Sequence, residues 1–263
     1  MIGLAPALCS VTFRQLPPGE IVALARQASL AAIEWGGDVH VPAGDVVMAR
    51  HVRRITEEAG LLPASYGSYL YPPDHGLDDF RHVLDTCHAL GAGNVRIWPG
   101  RRERPSAAYD TKERSEAADL IHAMGELGRA AGISISLEYH PNSLTDETGS
   151  AASLMDEIAH DNVHLYWQPR PGLPLDEARE EIARIGPRVS HVHVFAWDGA
   201  RRRYALADRA TWWSAVFAAL PESRFEGVRY AMLEFVRDDA PEAFLADAAT
   251  LRRLLDRRAP ASA

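Results

Sequence analysis

Short apolar runs of strand length alternate with longer amphipathic stretches from one end of the chain to the other. The runs that read as strands are Gly3 to Cys9, Ala32 to Trp35, Leu62 to Tyr66, Asn94 to Trp98, Ile133 to Glu138, Val163 to Trp167, Val189 to Val194 and Tyr230 to Phe235. Helices with legible starts and stops lie between them. Pro17-Pro18-Gly19-Glu20 opens the first, because proline and an acidic residue suit a first turn whose N–H groups lack partners. Asp45 caps a second that ends near Gly60, and Gly91 and Gly132 close two more in the left-handed conformation that glycine tolerates best. Asp110 or Thr111 starts the longest, Gly149-Ser150 the fifth and Pro174-Leu175-Asp176 the sixth. The last two run from Arg209 to Leu220 and from Pro241 to about Arg258. Eight βα units with no Pro/Gly/Ser linker predict a single-domain (β/α)8 TIM barrel over residues 1–256. A flexible Pro/Ala/Ser-rich tail, 257–263, is expected after it. A doubly wound open sheet is the alternative topology, but no strand is followed by G-x-G-x-x-G or a P-loop, so nucleotide binding has no local support.

Composition narrows the picture. With 47% hydrophobic residues the chain can bury a sizeable core, which excludes disorder as the main state. Its net charge of -8 disfavours an affinity built on neutralising phosphates, so no nucleic-acid partner is expected. Two cysteines, Cys9 and Cys87, are too few for a disulfide framework, nothing at the start reads as a signal peptide, and no apolar run would span a bilayer. The expectation is a cytoplasmic protein without a membrane partner.

Side chains of a barrel strand point alternately to the helices and to the lumen, so parity decides which residues share a site. In Ile133-Ser134-Ile135-Ser136-Leu137-Glu138 the bulky residues take one parity and Glu138 the other, at the C-terminal end. The same reading sends Val163, Leu165 and Trp167 outward and leaves Gln168 facing the lumen. His191 and His193 share the inward parity, with His193 nearer the mouth and His191, one step deeper, read as a hydrogen-bonded core histidine. Ala231, Leu233 and Phe235 are assigned to the helices and Glu234 to the lumen. Barrel enzymes place their chemistry at this C-terminal face. Two carboxylates, an imidazole and an amide oxygen suit Mn²⁺ or Mg²⁺, with Zn²⁺ or Co²⁺ less easily argued. Two glutamates flanking a bound sugar could also remove and return a carbon-bound proton.

Ala32-Ile33-Glu34-Trp35-Gly36, Ser136-Leu137-Glu138-Tyr139-His140, His191-Val192-His193-Val194 and Ala231-Met232-Leu233-Glu234-Phe235 together resemble strands two, five, seven and eight of the xylose isomerase-like barrel superfamily. That superfamily includes sugar isomerases and epimerases, ketoinositol dehydratases and barrel-type apurinic endonucleases. The resemblance covers nearly the whole chain. It implies metal ligands at Glu138, Gln168, His193 and Glu234, with Glu138 and Glu234 also catalytic. Many relatives read Asp-Pro-Gly on the sixth strand, where this chain has Gln168-Pro169-Arg170-Pro171-Gly172. Gln for Asp removes a negative charge, so a weaker metal site is expected.

Glu34 and Arg96 have inward parity, as a substrate-facing pair or an internal ion pair. Trp98, Tyr66, Tyr69, His40 and His140 are candidates for an aromatic and hydrogen-bonding wall, and Arg170 for a nearby positive charge. The clusters Arg101-Arg102-Glu103-Arg104 and Arg201-Arg202-Arg203 are solvated charge or a phosphate hold. The leading expectation is a metal-dependent isomerase or epimerase of a small sugar or sugar phosphate, moving a proton between the two glutamates through an enediolate. A ketoinositol-type dehydratase and a non-catalytic carbohydrate binder are the alternatives, and a homo-oligomer is left open.

Overall fold

The computed structural model describes residues 3–256. The tail expected at 257–263 lies outside them. Eight parallel strands close into a barrel in sequence order. They are β1 (Leu4–Cys9), β2 (Ala32–Gly36), β3 (Leu62–Gly67), β4 (Asn94–Ile97), β5 (Ser134–Glu138), β6 (Val163–Trp167), β7 (Val189–Val194) and β8 (Arg229–Leu233). The helices that follow them are α1 (Pro18–Gln27), α2 (Val46–Glu58), α3 (Leu77–Leu90), α4 (Thr111–Ala130), α5 (Thr148–Ile158), α6 (Leu175–Ile185), α7 (Ala210–Ala219) and α8 (Pro241–Asp256). The chain is a single-domain (β/α)8 TIM barrel, and the open-sheet alternative falls because β8 pairs with β1.

The helix signals act as the sequence reading expects. Asp45 accepts from the Met48 N–H at 2.9 Å, and Asp110 with Glu113 forms a reciprocal cap at the start of α4. Gly91 and Gly132 close α3 and α4 at φ of 77° and 69°.

The interior divides into layers stacked along the barrel axis. The main apolar core lies between sheet and helices, where outward residues such as Ile135, Leu165, Trp167 and Leu233 pack. Inside the barrel a second cluster sets the small Ala7, Ala32 and Ala64 of β1 to β3 against Tyr166 and Met232. A polar layer crosses the lumen beside it. Ser65 donates to Asn94 at 3.1 Å, Asn94 to Ser136 at 2.8 Å, Ser136 and Ser190 lie 2.7 Å apart, and Ser190 reaches the Leu165 carbonyl at 3.0 Å. Ser65, Asn94, Ser136 and Ser190 thus each have a partner, which is what burial of such groups requires. Above it, at the C-terminal ends of the strands, the charged layer begins.

Two local expectations change. Phe235 does not face the helices: β8 ends at Leu233, and φ of 51° at Phe235 turns its ring into the barrel mouth, where Arg14 and Arg203 stack on it. Tyr66 does not face the lumen. Inward parity on β3 belongs to Ser65, so Tyr66 is fully buried in the outer core and donates its hydroxyl to the Val41 carbonyl at 2.8 Å.

Candidate active site

A cavity of about 890 Å³ opens at the C-terminal face, within the size range of a small-molecule site. Arg96, Glu138, Gln168 and Glu234 line its floor, and Tyr69, Trp98, His140, Phe195, Trp197 and Phe235 its walls. His193 is fully buried just beneath.

The four residues expected as ligands come together because β5, β7 and the segments after β6 and β8 deliver inward side chains at one height. His193 Nδ1 lies 3.0 Å from Gln168 Oε1, 3.6 Å from Glu234 Oε2 and 4.0 Å from Glu138 Oε1. Gln168 donates its amide to Glu138 Oε1 at 3.2 Å, which turns its own oxygen toward the imidazole. The other ring nitrogen, Nε2, is 3.3 Å from Glu34 Oε1. A carboxylate accepts, so Nε2 donates to Glu34, and on the other side of the ring Nδ1 also faces oxygens alone.

Glu34 lies beneath the floor and does not line the cavity. It is fully buried and touches His193, Arg96 at 3.2 Å and the Cys9 thiol at 3.1 Å. Burial pushes its carboxyl up, but the Arg96 guanidinium and His193 outweigh that and hold it well below the usual carboxylate range. Burial works against the charge on Arg96, yet Glu34 beside it keeps the guanidinium firmly protonated. Arg96 also ion-pairs with Glu138 Oε2.

His140 continues the line of Glu138 into the cavity wall. Its ring stacks on Trp98 with centroids 3.9 Å apart, and its Nδ1 lies 2.7 Å from the Pro141 carbonyl. A carbonyl only accepts, so Nδ1 donates and Nε2 keeps a free lone pair. Burial lowers its pKa to about 4.

Other candidates sort by position. Tyr69 and Trp98 line the cavity, with Tyr69 also accepting from Arg14 at 2.8 Å. Arg170 lines it too, but its charge is spent on Glu177 and Glu181. His40 is buried against Ser10 and Trp35 away from the cavity, and Tyr66 is excluded by its outward parity. In the two arginine clusters Arg101, Arg104, Arg202 and Arg203 pair with nearby acids, while Arg201 lines the cavity. His191 lies one layer deeper and accepts from the Tyr230 N–H. Parity on β1 would also have found Cys9, which shares the inward face with Ala7.

The comparisons decide the family. The model of the xylose isomerase-like TIM barrel family matches residues 22–254. The chain belongs to that family. Over 128 residues, 44% of this xylose isomerase-like barrel and 43% of the relative, it is 29% identical to a 3-dehydroshikimate dehydratase of Bacillus anthracis. The match thus spans less than half of that protein. Three solved structures share the fold. A probable 3-DHS dehydratase of Bacillus anthracis aligns with a TM-score of 0.72 at 17% identity, over 95% of this chain and 99% of that one. The IOLI protein with a zinc atom gives 0.72 at 13%, over 98% and 100%. An L-ribulose 3-epimerase gives 0.73 at 13%, over 97% and 96%. These relatives are enzymes or metal-bearing barrels.

A divalent ion is implied by the family, and the residues of this xylose isomerase-like barrel accommodate one. His193 Nδ1 faces only acceptor oxygens, from Gln168, Glu234 and Glu138. Such a set calls for a cation, and Glu34 behind the ring orients it as a metal-bound imidazole needs. Among the described residues, Cys9, Glu34 and His193 form a second group whose ligand atoms all lie within 4.8 Å of one another. That group fits less well. All three are sealed from the cavity, Arg96 sits 3.2 Å from Glu34, and burial with Glu34 and Glu234 nearby keeps Cys9 a neutral thiol.

Proposed function

We propose that this barrel is a metal-assisted dehydratase of a small hydroxylated cyclic ketone, removing the proton next to the carbonyl and expelling the β-hydroxyl as water. The observation that carries the reading is His140. Its tautomer is set by Pro141 and its ring by Trp98, so an Nε2 with a free lone pair stands in the cavity wall two residues from Glu138. Glu138, Gln168, His193 and Glu234 would hold the metal, which when bound polarises the ketone oxygen and acidifies the adjacent carbon. His140 Nε2 takes that proton. The C–O bond of the β-hydroxyl then breaks as the C=C bond forms, and the imidazolium returns its proton to the departing oxygen. One water leaves and the base is restored. Trp98 and Phe235 offer flat apolar surfaces for a ring, and Arg201 a cation for a carboxylate substituent. The partial likeness to a 3-dehydroshikimate dehydratase points the same way.

The second reading is the isomerase or epimerase, favoured by the presence of both Glu138 and Glu234 on the cavity floor. Against it, Glu138 has one oxygen on Arg96 and the other on Gln168, so it is poorly placed to trade a proton with a sugar.

A panel of 3-dehydroshikimate, keto-inositols and ketoses, incubated with the protein and Mn²⁺ or Mg²⁺, separates the two. Dehydration predicts an ultraviolet-absorbing conjugated product from a cyclic ketone, falling at least about 100-fold in His140→Asn with the melting temperature and Mn²⁺ affinity retained. Deuterium entering a ketose from D₂O, unaffected by His140→Asn and abolished by Glu234→Gln, would instead establish the epimerase.

A further inference from the structure

Arg96 stands where a metal ion would have to share a ligand. Its Nη1 ion-pairs with Glu138 Oε2, its Nε lies 3.2 Å from Glu34 Oε1, and its side chain is 2% exposed. The guanidinium has a built socket. Gly67 pairs with Arg96 across β3 and β4, and a Cβ at Gly67 would come within 2.6 Å of Arg96 Nη2 and 3.1 Å of Glu34 Oε1. Any side chain at Gly67 would therefore push the guanidinium off its seat. The remaining oxygen of Glu138 accepts from Gln168 at 3.2 Å, so both oxygens of one expected metal ligand are already engaged by donors from the protein. A guanidinium and a divalent ion on the same carboxylate repel each other, and in a dry site solvent does little to screen them.

We propose that Arg96 is a built-in competitor of the metal: it holds Glu138 in the metal-free protein, and the divalent ion binds only by displacing it toward the cavity. The inference rests on the reading that Glu138, Gln168, His193 and Glu234 hold the ion. Two observations separate it from an ordinary internal ion pair. Arg96 lines the cavity and so has space to swing into. Gln168, neutral just after β6, leaves two carboxylates facing His193 Nδ1, so one competing positive charge weighs heavily in the balance.

Calorimetric titration of the metal-stripped full chain with Mn²⁺ alone tests this, with melting temperatures recorded for each variant. Arg96→Gln is expected to tighten Mn²⁺ binding by at least about tenfold. Gly67→Ala, which displaces the guanidinium without deleting its charge, should tighten it by less. In a Glu138→Gln background the gain from Arg96→Gln should vanish. A measurement on the wild type covers the event that a variant misfolds: the nitrogen-15 resonances of the Arg96 guanidinium should shift as Mg²⁺ saturates the protein. Tight Mn²⁺ binding that is unchanged or weakened by Arg96→Gln, or guanidinium resonances that stay put at saturating Mg²⁺, overturns the competitor role and leaves the metal site standing. Absence of Mn²⁺ binding in the wild type and in a folded Arg96→Gln alike overturns the metal reading and the competitor with it.

Discussion

His193 has one ring nitrogen committed to Glu34 and the other open to three oxygens, and that division of labour follows from where its strand neighbours end. Single residues in this site owe their roles to partners far away in the chain. Glu34 is 159 residues from His193, yet it anchors the ring edge that leaves Nδ1 toward the oxygens of Gln168, Glu234 and Glu138. Tyr66 shows the opposite outcome. An aromatic at the end of a strand reads as a substrate platform, but one step of parity places it in the outer core, where its hydroxyl satisfies Val41. Tyr66→Phe should therefore cost about 1–2 kcal/mol in denaturant unfolding, the usual penalty for orphaning one buried acceptor. Its kcat and KM on any substrate found should match the wild type. A change in KM with unaltered stability would return Tyr66 to the substrate wall.

At the scale of elements, the positions of the site residues depend on where strands and helices stop. β8 ends at Leu233, and the left-handed φ of Phe235 two residues later leaves Glu234 at the cavity floor with the Phe235 ring beside it. In α4, Gly125 and Gly128 look like flaws in a helix, yet a Cβ on Gly128 would lie 2.7 Å from the Ile133 carbonyl and one on Gly125 2.8 Å from the His160 ring. The bareness of Gly128 lets α4 lie close against β5, the strand that carries Glu138, and that of Gly125 makes room for the His160 ring ahead of β6. The start of that helix is held by Asp110, which accepts from the Glu113 N–H at 2.8 Å while Glu113 reaches back at 3.2 Å. Asp110→Ala is expected to lower stability by about 1 kcal/mol. The check is urea unfolding beside Asp119→Ala, an exposed change within the same helix that touches no cap and, by helix propensity, should leave stability unchanged or raise it by a few tenths of a kcal/mol. Caps of this kind are local, which is why they were legible in the sequence. The two close-approach glycines were not, because only the packed strand reveals what a Cβ would strike.

Over the whole molecule, the barrel buries histidines at several depths in their neutral form. Burial lowers His164 to about 4 and His191 to about 3, both against Phe225 toward the N-terminal end of the barrel. An unfolded histidine titrates near 6.5, so between there and 4 the unfolded chain binds more protons than the folded one and stability falls as pH is lowered. Glu34, held low by Arg96 and His193 against its burial, adds its own loss only at more acid pH, below the ordinary carboxylate value of 4.5. Urea unfolding at pH 7 and pH 5 should thus show the wild type losing stability, and His164→Phe should reduce that loss by about 2 kcal/mol. An identical slope in the variant would mean that His164 is already accessible to protons in the folded state. The sequence by itself determined the repeating βα order, the helix caps and the inward parity of Glu138, Gln168, His193 and Glu234, because periodicity and capping are properties of neighbours along the chain. Only the tertiary structure decided that Tyr66 and His40 are core, that Arg170 is spent on Glu177 and Glu181, and that Arg96 bridges Glu34 and Glu138. Those are facts about which charges meet in low dielectric, and closure of the barrel brings such charges together from positions that are remote in sequence.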